Sequence, residues 1–363
     1  MGNGYRYVRQ GKYLLSLDQS IPGVIKSVVL GYDRNKLNSI GIPKSIRRAA
    51  LRAVVKDRFH LLGPDRVIEL PAFGHIGMAV HRGCKVFDFQ QQHVTKIFEP
   101  GTDPEGARLE IRASRHASNI AAAPRFIGED PGHAWYREEY ICGVHATDTE
   151  VRNGVDVHDY YPAIENCLLD LVACRSPKHV DTMAHIAEYA DTSFRNRWIA
   201  AGHDVDQVNE IATYIENLGV WLSKQPKPDR LQLVLTHGDF SLVNAIATDE
   251  GLRFIDWEGV TFGGLFTDVI HFLFAEHYYK RIGESFANEM SEFVARYRAA
   301  ALERFPELRD AADLDLTFAR RLYYLERLGL MVKRSVSSHH CNVVSRSIGT
   351  FRDYDNDVGD VAA

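Results

Sequence analysis

Two short runs decide how this chain is read: Thr236-His237-Gly238-Asp239-Phe240-Ser241-Leu242-Val243-Asn244, and then Phe254-Ile255-Asp256-Trp257-Glu258. Each follows an apolar, β-prone stretch, Leu231–Leu235 in the first case and Leu252–Ile255 in the second. The spacing puts three oxygen-bearing side chains just beyond short strands, where loops carry functional groups on a rigid support. Asn244 follows Asp239 by five positions and Asp256 follows it by seventeen.

Those residue types suit phosphoryl transfer. The reaction needs a base to orient and deprotonate an attacking hydroxyl, and hard oxygen ligands to hold Mg²⁺ against nucleotide phosphates. Asp239 suits the base, and Asn244 and Asp256 offer one neutral and one anionic oxygen to the metal. A hydrolase with Asp239 as nucleophile is the competing chemistry, and it leaves the Asn244 and Asp256 pair unexplained. His237 reads as a packing residue that holds the loop.

Working outward, the chain has 363 residues, 45% of them hydrophobic and 25% charged. That length favours two lobes over one core. Texture divides it into an N-terminal segment (1–62), a strand-rich part (63–143) and a mainly helical part (144–363). In the strand-rich part, runs near 67–70, 78–81, 85–89 and 93–98 predict an antiparallel meander. A helix is predicted over 104–117, and two further strands flank Asp130-Pro131-Gly132. Beyond it, apolar positions three and four apart predict helices over 157–174, 206–223, 284–305 and 314–344. The tail from Asp353 reads as acidic and frayed.

The five cysteines are scattered and odd in number, which argues against a disulfide framework. No uncharged run is long enough to span a bilayer and no secretory signal is evident, so a cytoplasmic location is expected. The net charge of −5 hides an asymmetry, since residues 1–60 carry 12 Lys and Arg against 3 acids. That segment is expected to pack on its own chain or on a second subunit. A homodimer or an anionic partner is the alternative use of its charge, and nucleic acid is not expected.

HGDFSLVN followed by FIDWE resembles the aminoglycoside phosphotransferase and choline kinase family, whose corresponding loops match the catalytic and metal-binding loops of protein kinases. The resemblance covers roughly residues 63 to 345. It implies an α+β, bilobal, protein-kinase-like fold, with a small antiparallel-sheet N-lobe, a larger helical C-lobe and an extra N-terminal segment. It also implies an ATP- and Mg²⁺-dependent phosphotransferase acting on a hydroxyl of a small molecule. Asp239 is then the base, Asn244 and Asp256 the metal ligands, and Asp268 the brace of the catalytic loop. Where the family has Asp-Pro, this chain has Gly264-Leu265.

The resemblance further makes Lys96 the lysine on the nucleotide phosphates, with Glu110 as its ion-pair partner and Glu105 as the alternative. Phe73–Gly77 would be a phosphate-covering loop through Gly74 and Gly77. Glu139-Tyr140-Ile141 would be a hinge whose backbone, near Glu139 and Ile141, binds adenine. For the acceptor, Glu276 to Tyr279 could line a pocket, the basic run of Arg320, Arg321, Lys333, Arg334, His339 and His340 suits a sugar acid, a phosphorylated sugar or an anionic glycan, and a sugar or polyol is preferred to a cationic drug. An aminoglycoside- or choline-type acceptor, or a catalytically silent kinase-like binding module, are the alternatives.

Overall fold

The computed structural model describes residues 4–10, 12–19, 44–58, 67–80, 82–147, 156–279, 281–282, 286–334 and 338–357. Much of the basic N-terminal segment expected to pack on its own chain or on a second subunit, including Ile21, Val24, Ile25, Val28, Val29 and Leu30, lies outside them. In chain order the elements are β1 (Tyr5–Gln10), β2 (Tyr13–Ser16), α1 (Lys44–Arg58), β3 (Val67–Leu70), β4 (Ile76–Val80), β5 (Gly83–Asp88), β6 (His93–Phe98), α2 (Pro104–Ala117), β7 (Phe126–Glu129), β8 (Trp135–Glu139) and β9 (Val144–His145). There follow α3 (Tyr161–Ala173), β10 (Lys178–Asp181), α4 (Thr182–Tyr189), α5 (Phe194–Ala200), α6 (Val205–Lys224), β11 (Arg230–Thr236), β12 (Ala245–Thr248), β13 (Gly251–Phe254) and β14 (Thr261–Gly263). The chain ends with α7 (Thr267–Tyr278), α8 (Phe286–Arg304), α9 (Arg309–Ala312), α10 (Leu316–Arg334) and α11 (Ser338–Asp357).

These elements form two compact units, Met1–Cys167 with Leu242–Val260, and Leu168–Ser241 with Thr261–Ala363. The boundaries differ from the texture of the sequence in two places. The N-terminal segment is not separate, because β1 and β2 are strands of the first unit's sheet. The hairpin β12–β13, assigned by texture to the helical part, pairs instead with β9 of the first unit.

The first unit is built on an antiparallel sheet in the order β3-β1-β2-β4-β5-β6-β8-β7. The simple meander fails at β3, which returns to the outer side of β1 (Tyr7 opposite Ile68) and lets β2 pair with β4. Alternation along β5 and β6 sends Phe87 and Val94 to one face, where Ala50, Ala53 and Val54 of α1 join Leu15 and Ile76 in a buried cluster. Burial of the larger side chains here, such as Leu15, Val54, Ile76 and Phe87, contributes about 1.5–3 kcal/mol each. Arg6 of β1 pins the helix through Asp57 (3.2 Å) and also meets Asp18 (2.9 Å). Helix α2 starts where its sequence predicts: Asp103 caps the amides of Glu105 and Gly106, and Pro104 occupies the first turn, where no N–H is needed.

In the second unit β10, β11 and β14 form a small antiparallel sheet, and most of the remainder is helical. Val208, Ile211, Ala212, Ile215, Leu218 and Leu222 of α6 are all buried, as their spacing predicts. The tail is not frayed through Asp357. It is α11, and its Asp355 is buried beneath Arg320 (3.1 Å) and Arg321 (3.6 Å) of α10. All five cysteines are free.

Candidate active site

In the first unit, cross-strand pairing sets two lysines side by side. Lys85 of β5 lies directly opposite Lys96 of β6, so both project from one face of the sheet. Tyr136 and Glu138 of β8 share that face by register. Lys96 is 1% exposed and reaches Glu110 of α2 at 3.3 Å and Glu258 at 3.4 Å. Glu105, the alternative partner, is a surface residue paired with Arg108. The Tyr136 hydroxyl donates to Glu110 (3.2 Å), and Ser114 donates to Glu138 (3.2 Å), so both acids are fixed.

Sequence reasoning missed Lys85 and Glu258. Lys85 Nζ lies 2.6 Å from Asp256 Oδ1. Burial alone would lower its pKa, but Asp256, Glu138 and Glu258 outweigh burial and hold the ammonium charged. Glu258 is raised to about 7, by burial first and then by the neighbouring Asp256 and Glu110, against the pull of the two lysines. The signal for Lys85 was present in Cys84-Lys85-Val86-Phe87, a charged residue inside an apolar strand, the same pattern that singled out Lys96.

The hairpin β12–β13 brings Asn244 and Asp256 together. Asn244 ends a short 3-10 turn, and its carbonyl accepts the Ile255 amide at 2.8 Å, one residue before Asp256. Asp256 itself has left-handed backbone (φ 69°, ψ 47°), an unusual conformation for a non-glycine residue and one that concentrates at functional positions. Among the described residues no three His, Cys, Asp or Glu side chains gather to hold an ion by themselves. One carboxylate and one amide oxygen is the sparse, hard set that Mg²⁺ uses when phosphates and water complete its shell.

Gly74 and Gly77 do not form a hairpin loop. Gly77 lies within β4, and Gly74 just precedes it. A Cβ at Gly74 would stand 2.8 Å from that of Val86, and one at Gly77 would stand 3.0 Å from that of Leu14. These glycines let neighbouring strands pack closely, and the turn of this hairpin comes after Val80, with Arg82 in the left-handed region at φ 58°. At the expected hinge, the Glu139 amide donates to Arg125 O (2.9 Å), and its carboxylate takes Arg253 (3.2 Å) and the Arg125 amide (3.2 Å). That amide is therefore spent within the protein, while Ile141 follows two residues later in the buried chain.

In the second unit Asp239 follows β11 in a loop whose shape is set from behind. Asp268, in the first turn of α7, accepts the His237 amide (2.6 Å) and the Gly238 amide (3.0 Å) through its two oxygens. Gly238 has φ 80°, which a glycine adopts without penalty. His237 is fully buried and its Nδ1 accepts the Asp239 amide (3.3 Å). The turn before α7, Gly264-Leu265, closes through the Thr267 amide on Gly264 O.

The Asp239 carboxylate is half-exposed and held by two groups that the sequence did not flag. Arg327 of α10 reaches Oδ1 at 2.9 Å and donates to Gly238 O at 2.7 Å, and His271 Nε2 of α7 lies 3.2 Å from the same Oδ1. Tyr323 Oη lies 2.8 Å from His271 Nδ1. Burial and Arg327 lower the His271 pKa, so the ring is neutral and fits as an Nε2–H donor to Asp239 and an acceptor of the Tyr323 hydroxyl. Burial would raise Asp239, but His271 and Arg327 prevail and hold it well below the usual carboxylate range.

The basic run on α10 and α11 is not one surface. Arg320 and Arg321 are buried structural residues, stacked on Tyr354 and Trp221. Lys333 lies over Tyr189, and the side chains of Arg334, His339 and His340 lie outside the described ones. Glu276 is fully buried against Arg281 (2.5 Å), while Tyr278 and Tyr279 are exposed.

Residues 86–309 match the family model described as the phosphotransferase enzyme family. Among solved structures, choline kinase from Cryptosporidium parvum aligns with a TM-score of 0.50 at 14% identity, over 74% of this chain and 84% of that one. A glucosamine kinase in complex with glucosamine, ADP and inorganic phosphate gives 0.48 at 12% identity, over 78% and 81%. An aminoglycoside phosphotransferase from Streptomyces rimosus, in complex with ADP and streptomycin, gives 0.46 at 14% identity, over 70% and 92%. No curated protein matches at the level of sequence. The fold is the α+β, protein-kinase-like one: an antiparallel sheet followed by a helical part.

Proposed function

The chain belongs to the phosphotransferase enzyme family, and on that premise we propose that it transfers the γ-phosphoryl group of ATP, with Mg²⁺, to a hydroxyl of a sugar or polyol. The observation that carries this reading is Lys96, an ammonium 1% exposed and locked between Glu110 and Glu258, two residues from Asp256. A lysine is placed in such surroundings at a high desolvation cost, and an anionic ligand repays it.

Lys96 binds nucleotide phosphate oxygens and is kept in position by Glu110. Asn244 and Asp256 would hold Mg²⁺, which neutralises phosphate charge when bound. Asp239 orients the acceptor hydroxyl and takes its proton as the new O–P bond forms and the bond between the γ-phosphorus and the β–γ bridging oxygen breaks, releasing ADP. His271 and Arg327 fix Asp239 and keep it ionised. The nucleobase lies along the segment from Glu139 to Ile141, using backbone groups other than the Glu139 amide.

The acceptor reading rests on which charges remain available. On the two helices that reach Asp239, every acid is committed: Asp268 to loop amides, Glu276 to Arg281, and Glu326 to His185 (2.8 Å) and Thr267 (3.1 Å). Arg327 sets a guanidinium beside the base, which opposes the field that would draw an ammonium. Exposed Tyr278 offers an aromatic surface of the kind sugar rings rest on, while the Tyr279 ring carries Arg281. A neutral, hydroxyl-rich acceptor fits this surrounding better than choline or an aminoglycoside.

The test is ATP-dependent transfer to D-glucose, sorbitol, D-glucosamine, choline and an aminoglycoside, with Asp239→Asn as the blank. Transfer to the neutral compounds is expected, falling at least about a thousandfold in the variant, since base and positioning fail together. Full turnover by Asp239→Asn would remove the base, and transfer to choline alone would replace the acceptor.

A further inference from the structure

Two lysines opposite one another on adjacent strands repel, and the pair is retained here on a largely buried face. Each is compensated by a different acid, Lys96 by Glu110 and Glu258, and Lys85 by Asp256. Glu138, on the same face, adds a fourth carboxylate to the group. Four carboxyl groups thus surround two ammoniums, an acid-rich setting that suits a cation. The closest contact of the set is Lys85 Nζ on Asp256 Oδ1, at 2.6 Å, and Asp256 is the carboxylate held in a left-handed backbone conformation.

We infer that Lys85 is a second nucleotide-binding lysine, which competes with Mg²⁺ for Asp256 and turns to the nucleotide phosphates as the metal binds. The inference rests on the assignment of Lys96 and Asp256 above. An ammonium and Mg²⁺ drawn to one carboxylate repel each other, so each weakens the other's hold on Asp256. Filling the site therefore displaces the ammonium, and Lys85 is long, flexible and 14% exposed, so it has somewhere to go. From this face it can reach a phosphate bound beside Lys96. The device keeps Asp256 compensated in the free protein and couples metal loading to phosphate binding. It differs from the Lys96 contact, in which Glu110 and Glu258 keep the ammonium in place.

The experiment is calorimetric titration of the full chain with ADP, with and without Mg²⁺, and with Mg²⁺ alone, for the native protein, Lys85→Met and Lys96→Met. Loss of one charge-assisted phosphate contact weakens binding about tenfold to a hundredfold. Lys85→Met is expected to lose that much affinity for ADP in the presence of Mg²⁺, yet to bind Mg²⁺ alone more tightly than the native protein, because its competitor is gone. A structural role for Lys85 would not tighten the metal. Should Lys85→Met fail to fold with Asp256 uncompensated, Lys85→Met/Asp256→Asn is compared with Asp256→Asn, and the same loss of ADP affinity is expected. Native ADP and Mg²⁺ affinities in Lys85→Met, with Lys96→Met impaired, would overturn this inference alone. Native affinities in both lysine variants would overturn the nucleotide assignment as well.

Discussion

The surroundings of Lys96 and of Asp239 both compensate a charged side chain, and they do it in opposite ways. Lys96 is sealed, with acids on two sides and a second lysine opposite. Asp239 is half-exposed, and its partners are a guanidinium and a neutral imidazole mounted on helices. Lysine ammoniums on flexible stems can exchange partners, whereas a guanidinium fork holds a fixed geometry. Under the proposed function this is the expected division of labour. The part of the reaction that never varies is buried and rich in charge, and the part that meets the acceptor is open, rigid and nearly neutral.

The strongest way to break the Asp239 side is to cut its support from behind. Asp268→Ala leaves the buried His237 and Gly238 amides without their acceptor and frees the loop. A displacement of about 1 Å at a catalytic group costs on the order of a hundredfold in kcat. That loss is expected with ADP affinity unchanged, because the lysine side is untouched, and paired kinetic and calorimetric measurements check it. Weakened ADP binding would show that the two sides are not separable.

The three polar groups were legible because phosphoryl transfer needs residue types that are recognisable at fixed spacing, and because Asn244 and Asp256 lie at the two ends of one hairpin. Lys96 was legible as a charge inside an apolar strand. Lys85 carried the same signal and was passed over because no spacing rule pointed to it. Gly74 and Gly77 were misread because a glycine that admits a neighbouring strand looks the same in sequence as one that turns. Arg327 and His271 could not be read at all. Their approach to Asp239 depends on the packing of α7 and α10, 32 and 88 residues further along the chain, and nothing local distinguishes Arg327 from Arg320 or Arg321 on the same helix.

Those three arginines allow an intermediate test. Asp355→Ala removes the carboxylate facing Arg320 and Arg321, which are 3% and 1% exposed. Breaking a buried pair from one side costs about 3–5 kcal/mol. Denaturant unfolding should show that loss, while kcat at a temperature where the variant is folded stays native. A fall in kcat with stability intact would mean that these arginines serve the acceptor after all.

The smallest expected effect is the most specific to the contrast. Arg327→Gln keeps one donor near Gly238 and removes the charge beside Asp239. The sign of the pH effect follows from the base having to be ionised. In the native protein the Asp239 pKa lies well below the ordinary range, so no acid limb from this group falls within the working range. Without Arg327 the pKa rises toward the ordinary aspartate value of about 4, and a limb of kcat/KM moves up with it. At neutral pH the carboxylate is ionised in both proteins, so only positioning is lost and kcat falls about tenfold. The uncancelled carboxylate then favours ammonium, so the ratio of D-glucosamine to D-glucose turnover should rise in Arg327→Gln and stay low in Arg327→Lys. An acid limb and an acceptor ratio that both ignore the substitution would mean that Arg327 braces the loop and has no part in choosing the acceptor, and the neutrality of this side of the molecule would lose its functional meaning.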